Sequence, residues 1–161
     1  MKNMQIFRLN WNQADFDVDV FKEAYKKEKG VMVWRHFSDK HIEKETRCIL
    51  WFGTKGRRKK TKPLEGIAGI GEIIENNTLC RPPYLSELVA CKKKPHFVKV
   101  HLLAVTDEAL VSQNKIKSLF ERKLYWISGV GKSEFVNIKY ASDAKKLYDM
   151  ASAEYKKRFS R

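Results

Sequence analysis

Alternating apolar positions predict a chain built largely of short strands. Strand-type runs lie at residues 4–11, 31–35, 47–53, 64–75 and 97–106, with a further candidate at 124–127. The clearest is 97–106, whose predicted buried face carries Val98, Val100, Leu102 and Ala104. The run 64–75 is the predicted partner of 47–53, and it holds three glycines that predict bends or close backbone approach, namely Gly66, Gly69 and Gly71.

Helical spacing of apolar residues predicts three helices among these strands. One begins at Val18 after an Asp17 cap and ends at Gly30. A short helix runs from a Ser112 cap to Phe120, and the last begins after a Ser142 cap. One side of the last helix is cationic, and the other is apolar and holds Ala144, Leu147, Tyr148, Ala151 and Tyr155.

Several strands with one early helix and one closing helix indicate the α+β class. We expect a small β-barrel of about five to six strands flanked by helices. The sequence has no internal repeat and no composition shift that marks a boundary, so residues 1–161 are predicted to form a single domain.

Charge points to a polyanionic partner. Lysine and arginine number 33 against 19 acidic residues, which gives a formal net charge of +14. Such an excess favours DNA, RNA or an anionic membrane, although it also occurs where a protein-interaction adaptor needs solubility. No run of about 18 apolar residues is present, and the N-terminus lacks a signal-type apolar core, so no membrane partner and a cytoplasmic location are expected.

Neither a metal site nor a cofactor is predicted. Cys48, Cys80 and Cys91 are odd in number and widely spaced, which is typical of reduced thiols and not of a zinc site or a disulfide framework. The four histidines show no metal-ligand spacing with them.

Motifs for catalysis are weak, and we expect no enzymatic activity. The segment 129–133 (GVGKS) resembles the end of a phosphate-binding loop, but the first glycine of that motif is replaced by Trp126. The glycines of 66–71 reverse the dinucleotide-binding order and lie inside a strand. No nucleophile–base set stands out, so an enzyme acting on nucleic acid remains only an alternative.

Aromatic residues beside basic ones predict a pocket for a single base. Trp34 precedes Arg35, and the run Trp51, Phe52, Gly53 precedes the cationic loop 55–62. An extruded base needs flat apolar walls, and basic residues at the rim hold its flanking phosphates. The phosphate-binding candidates are Lys55, Arg57, Arg58, Lys59, Lys60, Lys62 and Lys132. The alternative is that both tryptophans are core residues.

The segment 49–73 (ILWFGTKGRRKKTKPLEGIAGIGEI) resembles the EVE domain of the PUA-like superfamily, above all in its GIAGIGEI strand. That resemblance implies a reader of modified bases. The related YTH domains bind N6-methyladenine through a tryptophan cage. Domains of both types also precede McrB-like restriction GTPases, where they recognise modified DNA. The GTPase motifs are absent from this chain, so a GTPase or nuclease module would lie in the same gene or on another chain.

The resemblance also assigns the pocket residue by residue. Trp34 would be a cage wall, and Trp51, Phe52 and Gly53 would line the pocket from the neighbouring strand. Asn10 and Trp11 from the first strand would complete it, with Tyr84 as a second wall. Arg35 is also a pocket candidate, because it lies beside Trp34. The segment 76–95 has no tryptophan, which departs from the YTH pattern.

The prediction from sequence is therefore a non-catalytic reader that accommodates a flipped, modified base, with DNA favoured over RNA. A generic RNA-binding module without a base pocket is the first alternative. A protein-interaction adaptor is the second.

Overall fold

The computed structural model describes residues 5–11, 18–36, 42–52, 66–76, 96–106, 109–119, 134–136 and 138–159. The strands are β1 (Phe7–Trp11), β2 (Val31–His36), β3 (Arg47–Phe52), β4 (Gly66–Asn76), β5 (His96–Val105), β6 (Val111–Ser112) and β7 (Glu134–Phe135). The helices are α1 (Val18–Lys27), α2 (Gln113–Leu119) and α3 (Ala141–Phe159), the last preceded by a 3-10 turn at Ile138–Tyr140. The predicted α+β class is confirmed.

One mixed sheet joins these strands in the order β2-β5-β4-β3-β1-β7, and β6 pairs with the start of β4. β1 and β3 run parallel, and the other pairs are antiparallel. A parallel pair needs a long crossover, and here α1 and β2 lie in the connection between its strands. The prediction that 64–75 pairs with 47–53 is confirmed by the β3–β4 ladder.

The sheet is strongly curved. Three strands separate β1 from β2, so in a flat sheet the two would lie about 19 Å apart. Yet the rings of Phe7 in β1 and His36 in β2 lie 5.6 Å apart between centroids. Side chains of β1 and β2 therefore meet across a concave interior. In the described ranges no backbone ladder joins β1 to β2, so the hydrogen-bonded sheet is not closed into a barrel there.

Bulges in β4 and β5, together with glycines in β4, accompany this curvature. The register shifts at Leu50/Trp51, at Ile70/Gly71 and again before Glu75. A Cβ added at Gly69 would collide with the carbonyl oxygen of Ala104, and one at Gly71 would lie 2.5 Å from that of His101. The predicted close backbone approach at these glycines is confirmed, because only a residue without a side chain fits between the two backbones.

Two apolar clusters form on the two faces of this sheet. The interior cluster lies on the concave face and draws on β1 to β5; its members are Phe7, Leu9, Met32, Trp34, Ile42, Cys48, Leu50, Ala68, Ile73, Val98, Val100 and Leu102. The helix-side cluster packs the other face against α2 and α3; its members are Ile6, Ile49, Trp51, Ile67, Ile70, Ala104, Leu110, Val111, Ile116, Val136, Tyr140, Ala144, Leu147, Tyr148 and Ala151.

Two predictions about individual residues are wrong. Val98, Val100 and Leu102 share the interior face, but Ala104 belongs to the helix-side cluster. The reason is that Ile70 pairs with Ala104 while Gly71 pairs with Leu102, so Leu103 is an extra residue that reverses the alternation. Ser142 is not a cap, because α3 begins at Ala141 directly after the 3-10 turn.

Candidate nucleic-acid interface

Trp34 lies in the middle of the interior cluster. It pairs with Val98 across β2 and β5, and its side chain is only 1% exposed. Met32 precedes it on the same face and His36 follows it, because side chains alternate along a strand. The indole is thus held by packing on all sides, as the core interpretation of this tryptophan predicts.

Trp51 is equally buried but faces the other way. It is 1% exposed and belongs to the helix-side cluster, with Ile67 opposite it on β4. The sheet lies between Trp51 and Trp34. The prediction that these two residues line one pocket is therefore wrong for this arrangement, since walls of one cage must share a face.

The structure places the other predicted pocket residues only in part. The backbone register sets Asn10 beside Trp51 and Trp11 beside Phe52, and Arg35 beside Phe97. Gly53 and Tyr84 lie outside the described residues. So do all the predicted phosphate-binding residues, which are Lys55, Arg57, Arg58, Lys59, Lys60, Lys62 and Lys132.

A buried histidine lies two positions after Trp34 on the same face. His36 is 2% exposed, and its ring stacks on that of His96 at 5.5 Å between centroids. Neither ring nitrogen of His36 makes a hydrogen bond of acceptable geometry, although the Asn76 amide lies close by. The edge of the Phe7 ring closes the same end of the interior.

Burial is the main cause that lowers the pKa of His36 to about 4, and the adjacent His96 ring adds to it, while Asn76 opposes both. His36 is therefore a neutral imidazole at pH 7, with one donor and one acceptor nitrogen inside an apolar interior. A polar group in such a place is costly unless it finds a partner. The signal in the sequence that indicates this position is the i, i+2 spacing from Trp34.

Positive charge lies on all three described helices. Exposed lysines occur at Lys22, Lys26 and Lys27 in α1, at Lys115 and Lys117 in α2, and at Lys146, Lys156 and Lys157 in α3. Arg158 is engaged instead: its Nε donates to Glu154 at 2.8 Å and its Nη2 to the Ala109 carbonyl at 3.0 Å. The phosphate-binding residues predicted from sequence, by contrast, lie in the predicted loops at 55–62 and 129–133.

The described residues hold no group of three or more histidine, cysteine or acidic side chains arranged to bind a metal ion. In the same ranges, none of the helices has the length and apolar character needed to cross a membrane. Burial raises the pKa of the Cys48 thiol well above its ordinary value, so this cysteine is a neutral core residue at pH 7.

No protein-family model matches the chain, and no curated protein is significantly similar to it. Among solved structures, it is similar to a hypothetical protein from Leishmania major, with a TM-score of 0.50 and 12% sequence identity over 92% of this chain and 97% of the other. At this identity the similarity concerns the fold alone.

Proposed function

We propose that this protein is a non-catalytic nucleic-acid-binding domain. The observation that carries the proposal is the net charge of +14 together with exposed lysines on every described helix. A surface of this kind attracts phosphates through counterion release, whatever the base sequence. The effector, a GTPase or nuclease module, would then lie elsewhere in the same gene or on another chain.

A salt-dependent titration tests this proposal. The full chain is titrated at about 0.05, 0.1 and 0.2 M salt against matched DNA and RNA oligonucleotides, each as single and double strands. We expect the logarithm of the binding constant to fall linearly with the logarithm of the salt concentration. If the protein binds no oligonucleotide even at the lowest salt concentration, the charge serves solubility, and the protein-adaptor alternative replaces the proposal.

A more specific candidate is the base reader, and buried His36 favours it. The imidazole offers a hydrogen-bond donor and an acceptor, which the edge of a base requires. The neighbouring indole of Trp34 offers the flat surface that the face of a base requires. The curved sheet with helices on its outer face supports the PUA-like barrel that the resemblance implies. In this version one wall of the site is Trp34, and Trp51 is structural.

The reader is tested with oligonucleotides that carry adenine, N6-methyladenine, cytosine, 5-methylcytosine or 5-hydroxymethylcytosine. We expect a preference of at least about tenfold for one modified base. Trp34→Phe and His36→Asn should reduce this preference and leave the salt-dependent binding in place. Trp51→Phe is the matched control, because it changes an equally buried indole on the opposite face. Uniform binding to all bases would favour the generic RNA-binding module.

A further inference from the structure

Two aromatic rings lie one helical turn apart near the end of α3. The centroids of Tyr155 and Phe159 are 4.9 Å apart, with 34° between the ring planes. Tyr155 packs against the helix-side cluster, which fixes its position. Phe159 is 58% exposed, the largest exposed fraction among the large apolar side chains of the described residues. One anchored ring thus supports a second ring that is open to solvent.

Lysines accompany this aromatic pair. Lys156 and Lys157 lie between the two rings in sequence and are exposed. Neither makes an ion pair with any residue that the structure describes. Because Arg158 is held by Glu154 and Ala109, the cations available to a ligand at this end of α3 are the two lysines.

We propose that this surface, defined by Tyr155, Phe159, Lys156 and Lys157, binds single-stranded nucleic acid. A base stacks on Phe159, and the lysines contact the flanking phosphates. An exposed ring among lysines matches the combination of stacking and charge by which proteins hold unpaired strands. A duplex hides its base faces in the stack and cannot use the ring. The inference rests on the proposed nucleic-acid binding and adds the surface and the strandedness of the partner.

The test compares matched variants of the full chain on a fluorescein-labelled oligothymidine strand of about 12 nucleotides and on a duplex of the same length. Phe159→Ala should weaken single-strand binding roughly tenfold and leave the duplex unchanged. Leu119→Ala is the control, because it truncates another exposed apolar residue, 45% exposed, at the end of α2. It should change neither affinity by more than about twofold.

Charge is tested in the same way. Lys156→Gln with Lys157→Gln should lower the salt slope for the single strand by about 0.7 for each phosphate that is no longer neutralised. Lys27→Gln with Lys44→Gln removes the same charge from two exposed lysines outside α2 and α3 and should leave that slope unchanged. Equal effects of the two lysine pairs, or of Phe159→Ala and Leu119→Ala, would overturn the inference. Absence of binding by the unmodified chain would instead overturn the proposed function itself.

Discussion

The two faces of the sheet bury apolar clusters that differ in how they are covered. The helix-side cluster is closed by separate elements, with Ile116 from α2 and Leu147 from α3 packed on the strands. The interior cluster is closed mainly by the curvature of the sheet, and Ala24 and Tyr25 of α1 pack against it. At the far end of β2 it terminates in His36, whose ring nitrogens are buried.

This difference separates a structural face from a candidate binding face. Helix-side packing uses small residues such as Ala144 and Ala151, which let α3 approach the sheet closely. A base could enter only by displacing a helix. The interior ends in His36, a buried imidazole that lies close to the Asn76 amide and two positions after Trp34, and the proposed base reader would use this end of the face.

The largest expected effect is on the helix-side cluster. Trp51→Ala should lower the free energy of unfolding by about 3–5 kcal/mol, because a fully buried indole leaves a cavity that rigid neighbours cannot fill. Denaturant unfolding measures it. Ile74→Ala, at a residue 37% exposed on β4, is the control and should cost less than about 1 kcal/mol. If Trp51→Ala lowers the free energy of unfolding by no more than the control does, the helix-side cluster repacks to fill the cavity.

The sequence pattern predicted those elements whose formation depends on neighbouring residues in the chain. The alternation in β5 and the helical spacing in α3 identify those elements, because each depends on a few neighbouring residues. The Ser112 cap is identified for the same reason, since its Oγ accepts a hydrogen bond from the Lys115 amide at 3.2 Å.

The face of the sheet that a residue joins depends on residues far away in the sequence. The prediction that Trp34 and Trp51 share a pocket was wrong for this reason. Trp34 and Trp51 both precede polar segments and both suggested pocket walls, but strand order and register place the sheet between them. The bulge at Leu103 is set by how β5 meets β4, and it moves Ala104 to the other face. The burial of His36 also depends on distant residues, because the curved sheet brings Phe7 against its ring.

The interior face predicts a loss of stability at mildly acidic pH. The pKa of His36 is lowered from 6.5 to about 4 in the folded protein, so between these values the unfolded chain binds the extra proton. Stability is therefore full above about pH 6.5 and falls as the pH drops toward 4, by about 3 kcal/mol in total.

Denaturant unfolding between about pH 4 and pH 7 measures this decrease. His36→Asn should remove it, because the amide does not titrate. His101→Asn is the control, since His101 alternates with the interior residues of β5 and should leave the decrease in place. If the original chain and His36→Asn show the same pH dependence, the imidazole is not buried in solution.

A substitution in the sheet itself should affect both faces together. In Gly71→Ala the new Cβ would lie 2.5 Å from the His101 carbonyl oxygen and 3.1 Å from the Leu102 Cα. Both are backbone atoms, so β4 and β5 must move apart, at a cost of about 1–3 kcal/mol in the free energy of unfolding. Thermal unfolding measures it, and an unchanged melting temperature would show that these strands approach less closely.

The smallest expected effect is confined to the helix side. Ser112→Ala removes the cap of α2 and should lower the free energy of unfolding by about 1 kcal/mol, as measured by urea unfolding. Ser118→Ala is the matched control, because that hydroxyl is also exposed on α2 but donates to the Lys115 carbonyl within the helix. It should be nearly neutral, since a bond of that kind does not favour the helix. Because α2 covers only the outer face, Ser112→Ala should leave the pKa of His36, followed by NMR, unchanged. A shift in that pKa would show that the two faces are coupled through the sheet, and the division between a structural and a binding face would then fail.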